Sequence, residues 1–528
     1  MAHAPSNIFR YLCRLTADLT EDPIDLHAVL REYWGYDQFR PLQERIVHAL
    51  IGGRDVAVVM PTGGGKSLCY QLPAVVLGGT AVVVSPLIAL MKDQADQLKQ
   101  MGIPAAVLNS SLNPAQQQIV MKEAMAGAYR LLYLAPERLV RADTFQWLKQ
   151  VPLSLFAIDE AHCISEWGHE FRPDYRQLKL LRDHFPDTPI AAFTASATQR
   201  VRHDILAQLS LREPGKFIAS FHRSNLRIFM RQCDSEEERE RLLMAALRTH
   251  KGASIIIYAP TVRAVGEMVD LLNSKRIAAV GYHGQMDNSD RKENQERWMS
   301  DEVNILVGTV AFGLGINKPS VRAVIHLSMP KSLEQYYQEA GRAGRDGDES
   351  DCILLWRPKD FGLLVHFIDQ VQDRTEKQRS WDRYHIMRDF VEGTAHCRHR
   401  QLCLHFGETP KWMQCGMCDI CSGAPPDWVT ASDDSITVRR HSNRVVVDDN
   451  FDIVLDEALL EHMKTWRRET AKAAGVPAFF VLNDAGLIDL CRKRPRNLQE
   501  LMRVSGIGVK KAEAFGYAML AALKSHKA

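Results

Sequence analysis

The stretch from Asp55 to Tyr70 constrains the fold of this chain more than any other. Val56 to Met60 is an unbroken apolar run of strand length, Gly63, Gly64 and Gly65 make a loop, and Lys66-Ser67 opens a helix. Strand, glycine loop and helix in that order form a phosphate cradle. Glycines let backbone N–H groups turn inward around phosphate oxygens, and the helix N-terminus adds partial positive charge. Thr62 and the three glycines line such a cradle, Lys66 reaches the outer phosphates, and the Ser67 hydroxyl is placed to ligate magnesium. The leading glycine of the usual Gly-x-x-x-x-Gly-Lys-Ser pattern is Met60 here, so the spacing rule fails while its structural context is kept.

A carboxylate partner follows downstream. Ser154 to Ile158 is a short apolar run ending in Asp159-Glu160-Ala161-His162. An acid at the tip of a strand neighbouring the loop is where magnesium must be held, so Asp159 is the expected magnesium partner, and Glu160 the group that orients and activates the attacking water. Phosphoryl transfer also needs positive charge on the developing transition state. Arg342 and Arg345, flanked by glycines in the segment Tyr336 to Gly347, share one face if that segment is helical. Arginines in this role accelerate transfer by about 10³–10⁵.

Two series of buried-strand runs set the fold class. Val56–Met60, Ala81–Val84, Leu131–Leu134, Leu155–Ile158 and Ile190–Phe193 form the first; Ile255–Tyr258, Ala278–Tyr282, Ile305–Val307, Val324–Leu327 and Ile353–Leu355 form the second. Helical-length segments separate them, as in parallel sheets with crossover helices. The expectation is α/β, with two tandem parallel-sheet lobes that divide near Arg212-Glu-Pro-Gly215. The phosphate loop falls in the first lobe and the arginine pair in the second, so hydrolysis requires the lobes to close.

The three motifs resemble the first, second and sixth signatures of superfamily-two helicases, and specifically the RecQ family of DNA helicases. The resemblance covers residues from about 25 to 425 and implies that the two lobes are RecA-like. It implies an adenine-recognition segment in Gly35 to Gln43, with Tyr36 stacking on the base, Gln43 reading its edge and Arg40 contacting the nucleotide. Ser85 to Leu90, Thr194 to Thr198 and Val310 to Pro319 resemble motifs that touch DNA or relay between sites. The segment after the acidic motif carries Trp167, His169, Phe171 and Tyr175 on an otherwise polar loop. Such aromatics pack into a core or stack on nucleobases, the latter contributing about 1–3 kcal/mol per base. The resemblance implies that this loop senses single-stranded DNA, with Arg172 coupling it to hydrolysis.

Eleven cysteines in an intracellular chain call for metal before disulfide. Cys13, Cys69, Cys163, Cys233, Cys352 and Cys491 are scattered and read as small buried residues. Cys415, Cys418 and Cys421 are spaced to wrap one ion, and Cys397, Cys403, His396, His399 and His405 compete for the fourth position. The family places a cysteine–arginine pair after a helix, which maps onto Cys397-Arg398 and implies a closed structural zinc site of Cys397, Cys415, Cys418 and Cys421.

At 528 residues and 46% hydrophobic content the chain has room for about three to four domains, and its net charge of +2 leaves DNA contact to local patches. The expected organisation is an N-terminal extension over 1–24, a first ATP-binding lobe over 25–212, a second lobe over 213–357 and a helical zinc-binding module over 358–424. A linker over 425–450 and a small all-α bundle over 451–528 follow. The winged-helix domain that usually follows the zinc module in the family has no room here. The bundle resembles the helicase-and-RNase-D C-terminal (HRDC) domain. Leu455, Leu459, Leu460, Met463 and Trp466 mark one helix face, and Val481, Leu487, Leu490, Leu498, Leu501 and Met502 continue the core. The glycine turn Ser505 to Lys511 suits a phosphate, and Arg492, Lys493, Arg494, Arg496, Lys510 and Lys511 favour DNA.

No signal peptide or membrane-length apolar segment is present, and the expected location is cytoplasmic, with the bacterial nucleoid. The resemblance implies a DNA-stimulated ATP hydrolase that uses ATP, Mg²⁺ and structural Zn²⁺ and unwinds duplex DNA 3′-to-5′ in recombination and repair. Implied partners are single-stranded, forked or junction DNA, with single-strand-binding and recombination proteins. A different class of function is an ATP-gated DNA clamp or annealing factor without net unwinding. An RNA helicase is disfavoured by the aromatic loop and the cysteine cluster.

Overall fold

The computed structural model describes residues 24–422 and 456–526, apart from 111, 140, 314–317, 475 and 477. Residues 1–23, the expected linker over 425–450, Leu455 and part of the Val310–Pro319 motif lie outside the described residues.

The apolar runs become two parallel sheets. The first holds β1 (Val56–Val59), β2 (Thr80–Val84), β3 (Ala105–Leu108), β4 (Leu131–Leu134), β5 (Leu153–Ile158), β6 (Ile190–Thr194) and β7 (Gly215–Ile218), in the order β3-β4-β2-β5-β6-β1-β7. The second holds β8 (Leu226–Gln232), β9 (Ser254–Tyr258), β10 (Ala279–Tyr282), β11 (Ile305–Gly308), β12 (Val321–His326) and β13 (Ser350–Trp356), in the order β10-β11-β9-β12-β13-β8. Helices cover both faces, so β2, β4, β6, β9, β11, β12 and β13 are buried at every position. Burial on both faces is why their sequences run apolar without alternation.

Two expectations need correction. The first lobe does not end at 212: β7 pairs in parallel with β1, Val56 opposite Gly215 and Val59 opposite Ile218, so the chain crosses to the second lobe only after Ile218. Asp55 pins this crossing, its buried carboxylate accepting from the Arg212 and Ile190 backbone N–H groups at 2.7 and 2.8 Å and from Arg182 at 2.5 Å. Nor does β5, which carries Asp159, lie beside β1; β6 sits between them.

The cysteine module grows out of the second lobe. Ile228 of the edge strand β8 donates its N–H to the Met417 carbonyl at 3.0 Å and accepts from Asp419 N–H at 2.9 Å. The C-terminal bundle comprises helices Glu457–Ala474, Ala478–Val481, Asp484–Lys493, Leu498–Leu501 and Val509–Ser525. Leu459, Met463, Val481, Leu487, Leu490 and Leu501 form its core as expected, but Met502 is 44% exposed. Its glycine turn is not free for a phosphate. Gly506 N–H donates to the Gly35 carbonyl at 3.0 Å, and a Cβ on Gly508 would lie 2.6 Å from the Glu32 carbonyl. The bundle also reaches the second lobe, with Arg467 3.9 Å from Asp301.

Candidate active site

The phosphate loop follows β1 and ends where helix Lys66–Val76 begins. Gly63 and Gly65 take φ of 84° and 81°, left-handed values that a side chain rarely adopts. The loop is held from below. Lys66 Nζ donates to the Met60 carbonyl at 3.1 Å, so the residue in place of the leading glycine serves through its backbone. Gln43 donates to the Gly65 carbonyl at 3.1 Å, accepts from Arg40 N–H at 2.8 Å and is buried, while the Arg40 guanidinium donates to the Gly63 carbonyl. Gln43 and Arg40 thus brace the phosphate loop, and Tyr36, 37% exposed, stands open for stacking. Ser67 Oγ accepts from Gln94, which in turn accepts from the Tyr70 hydroxyl at 2.8 Å.

Asp159 sits at the tip of β5, buried, with its N–H on the Val84 carbonyl at 2.8 Å. Burial and the adjacent Glu160 push its carboxyl up to about 7, against the pull of Lys66. A buried acid that is hard to ionise alone fits a site built to receive a divalent cation, and Ser67 and Asp159 are the residues that would hold it. Glu160 adopts φ 47°, ψ 45°, a strained conformation for a residue with a side chain, and local strain of this kind clusters at functional sites. Its carboxylate lies 3.3 Å from His162 Nδ1. Burial opposes ionisation of Glu160, but His162 and Lys66 hold its carboxyl below the usual range.

His162 is a junction that the sequence reading missed. The same Nδ1 is 3.0 Å from Thr194 Oγ1 on β6, its ring stacks on His169 at 4.8 Å, and Nε2 lies 3.9 Å from Glu170. It therefore connects Glu160, the Thr194–Thr198 motif and the aromatic loop. That loop divides its aromatics. Tyr175 is wholly buried and donates to the Asp159 carbonyl at 3.0 Å, whereas Trp167 and Phe171 are 39% and 37% exposed. Trp167 is flanked by Arg200 and Arg379, 3.0 and 4.2 Å from its ring centre. Arg172 donates to the Pro86 carbonyl at 3.4 Å, tying the loop to the end of β2.

The two arginines come from the second lobe, and the condition for their sharing a helix face is not met, since both lie on turns. Helix Leu333–Ala340 stops before Gly341, and Gly344 takes φ 54°. The turn still brings Arg345 to the phosphate loop: a Cβ on Gly63 would lie 3.1 Å from Arg345 Cγ. Burial, then Arg342 and Arg223, push the Arg345 guanidinium down to about 9, and Glu160 draws it back. Gln338 on the same helix donates to Ser196 Oγ at 2.8 Å, a second cross-cleft tie.

The sulfur atoms of Cys397, Cys415, Cys418 and Cys421 all lie within 4.8 Å of one another. Tetrahedral zinc with bonds of about 2.3 Å separates its sulfurs by about 3.8 Å, so the four fit one ion. The hydrogen bond from Cys415 leads in lowering the Cys418 thiol to about 5, despite burial. Arg398 forks onto both carboxylate oxygens of Asp419 at 3.1 Å each, fixing the strand of chain between two ligands. Three of the four rival candidates are committed elsewhere: His405 pairs with Glu334 at 2.7 Å, His399 bonds the Leu226 carbonyl at 2.9 Å, and Cys403 lies in the core; His396 is exposed and outside the cluster.

Comparison with known proteins decides the family. Residues 40–205 match the DEAD/DEAH box helicase family, 238–347 the helicase conserved C-terminal domain, 358–422 the RecQ zinc-binding domain and 456–523 the HRDC domain. The protein named ATP-dependent DNA helicase RecQ of Haemophilus influenzae is 32% identical, over 97% of this chain and 98% of its own. Its namesake in Bacillus subtilis is also 32% identical, over 94% of this chain and 98% of its own. The chain belongs to the RecQ family.

Solved helicase structures share the fold of the two RecQ lobes. MrfA bound to DNA and AMPPNP aligns with TM-score 0.53 at 21% identity, covering 65% of this chain and 51% of that one. Saccharomyces cerevisiae Dbp5 bound to RNA and ADP BeF3 aligns with TM-score 0.51 at 17% identity, covering 68% and 95%. The Haemophilus RecQ alignment spans 612 positions, more than the 528 residues of this chain, so that relative carries residues without a counterpart here. The zinc-binding and HRDC matches leave only residues 423–455 between them.

Proposed function

We propose that this RecQ protein is an ATP-dependent DNA helicase that translocates 3′-to-5′ on single strands and opens duplex DNA, acting in recombination and repair. The observation that carries the reading is the position of Arg345 against Gly63, with Lys66, Asp159 and Glu160 on the opposite wall. ATP is the substrate of this cleft. The loop amides and Lys66 bind its phosphates, Tyr36 offers a face to its base, and Gln43 and Arg40 hold the loop in shape. Magnesium, when held by Ser67 and Asp159, would neutralise phosphate charge. Glu160 orients the attacking water and takes its proton, and Arg342 and Arg345 stabilise charge on the transferring group.

Coupling to DNA runs through His162. Displacement of the aromatic loop by a stacked base moves His169 and Glu170, which contact the histidine that positions Glu160. The protein partners of this reading are single-strand-binding and recombination proteins, and its location is the bacterial cytoplasm, at the nucleoid. Among the described residues no helix is long and apolar enough to cross a membrane.

Displacement of a labelled strand from a forked duplex with a 3′ tail tests the reading, with a 5′-tailed fork as the polarity control. ATP-dependent release from the 3′-tailed fork is expected. DNA-stimulated hydrolysis with no release from any fork would instead establish the clamp.

A further inference from the structure

Arg223 lies where the chain passes from β7 to β8, outside every motif considered so far. Its guanidinium has five N–H donors, and five bonds use them. Nη1 donates to the carbonyls of Thr62 at 3.1 Å and Gly341 at 3.4 Å. Nη2 donates to those of Ala343 at 3.1 Å and Gly344 at 2.8 Å, and Nε to Asn225 Oδ1 at 3.3 Å. Asn225 reinforces the same turn, its amide donating to Gly344 and Asp348 carbonyls at 2.8 and 2.9 Å. Thr62 belongs to the phosphate loop; Gly341, Ala343 and Gly344 bracket Arg342 and immediately precede Arg345.

This is an unusual use of a cation. All five bonds go to neutral acceptors, and the side chain sits partly buried beside two other guanidiniums. A side chain that served only to pack or to bridge the lobes would do so with less repulsion as glutamine or leucine. What arginine alone offers is a planar fork that reaches three carbonyls of one turn and a fourth across the cleft. The turn needs such a tie, because the helix has ended at Ala340 and the carbonyls of Gly341, Ala343 and Gly344 that Arg223 bonds lie beyond its hydrogen-bond ladder.

We propose that Arg223 is a positioning residue: it holds the turn bearing Arg342 and Arg345 in register with the phosphate loop, so that closing of the cleft delivers both arginines to the terminal phosphate. The proposal rests on the assignment of Arg345 to the ATP cleft. When the lobes part, the Thr62 bond breaks while the bonds to the turn remain, so the turn moves as a unit with the second lobe. Arg223 touches carbonyls of the loop and the turn; it acts through Arg342 and Arg345. A misplacement of about 1 Å in such a group lowers turnover by about 10²-fold.

The test is steady-state hydrolysis of ATP at saturating single-stranded DNA by the full chain and its Arg223→Gln, Arg223→Lys and Arg345→Ala variants, with the double variant R223Q/R345A. Arg223→Gln is expected to lower kcat by about 10²-fold with KM for ATP within about threefold, since the lost alignment matters only in the transition state. Arg223→Lys keeps the charge but not the fork, and is expected to lose the same amount; this variant also stands in if the glutamine form does not fold. Added to Arg345→Ala, the Arg223→Gln change is expected to cost less than it does in the wild type, only the share carried through Arg342 remaining. Wild-type kcat in either single variant, or a fall in the double variant equal to the product of the two singles, would overturn the proposal. Full turnover in Arg345→Ala would overturn the site assignment and the proposal together, whereas loss in Arg345→Ala with none in Arg223→Lys would overturn the proposal alone.

Discussion

At the scale of single residues, most of the nucleotide chemistry is written locally. Lys66, Ser67 and Asp159 stand out because the glycine loop and the strand-tip acid carry their own signals within a few positions. Lys66 is the sharpest case. Burial lowers its pKa, with Glu160 and Asp159 opposing, so the side chain is surrounded by acids and kept from water. Lys66→Ala is expected to reduce ATP hydrolysis by about 10³-fold or more while DNA affinity by fluorescence anisotropy stays within a few-fold, because in the proposed site the lysine faces the nucleotide. Substantial turnover in that variant would contradict the assignment. Residues that act across the chain were not legible in the same way. His162 follows the acidic pair in sequence, yet its contacts with Thr194 and His169 exist only after β5 and β6 have paired. Gln94 and Gln338 carry no local pattern at all, and their roles rest on Ser67 and Ser196 being brought to them.

At the scale of elements, the fully buried strands were readable as apolar runs, and three of the four edge strands, β3, β7 and β8, were not. β3 is four residues of small and aliphatic side chains, and β7 alternates half-buried with exposed positions around Lys216, so neither forms a long run. The arginine segment misled for a different reason: spacing of three suits a helix, but Gly341 and the left-handed Gly344 turn the chain first. The cysteine module was legible in its ligands, and its docking was not. Cys418→Ala is expected to release one bound zinc per chain and lower the melting temperature, since zinc in isolated modules contributes on the order of 10–16 kcal/mol. Unchanged metal content would refute the four-cysteine site.

The module is also clamped to helix Leu333–Ala340 by Glu334 and His405. Burial opposes the Glu334 charge, but His405 brings its carboxyl down from 4.5 to about 2. A depressed carboxyl stabilises the fold above its unfolded value and loses that contribution as pH falls towards the folded one. Wild type is therefore expected to exceed Glu334→Gln in unfolding free energy by on the order of 3 kcal/mol at pH 6, with the gap closing between about pH 4.5 and 2. A gap independent of pH in urea unfolding would contradict this pairing.

At the scale of the whole molecule, the two lobes meet at the cleft, the cysteine module packs on the second lobe and the helical bundle touches both lobes. A cycle driven by ATP is needed because binding alone is too weak. Opening a base-pair step costs about 1.4 kcal/mol, and non-specific DNA binding supplies about 5.5–8 kcal/mol, enough for a handful of pairs once. The bundle was legible as a fold and not as a contact, because the turn at Gly506 and Gly508 reads equally well as a phosphate cradle until Gly35 is found against it. Gly508→Val is expected to undock the bundle from the first lobe and enlarge the radius of gyration by small-angle scattering, with zinc content unchanged. An identical scattering profile would show that this contact does not hold the bundle.

In the proposed function, DNA governs the meeting of Arg345 with the phosphate loop, and the decisive measurement is the ATP hydrolysis rate of the wild type and of Arg345→Ala, each with and without single-stranded oligonucleotide. A wild-type rate that rises steeply with the oligonucleotide, and an Arg345→Ala rate that stays low in both conditions, is the predicted result. A wild-type rate indifferent to DNA, or an Arg345→Ala enzyme that DNA still stimulates fully, would contradict it.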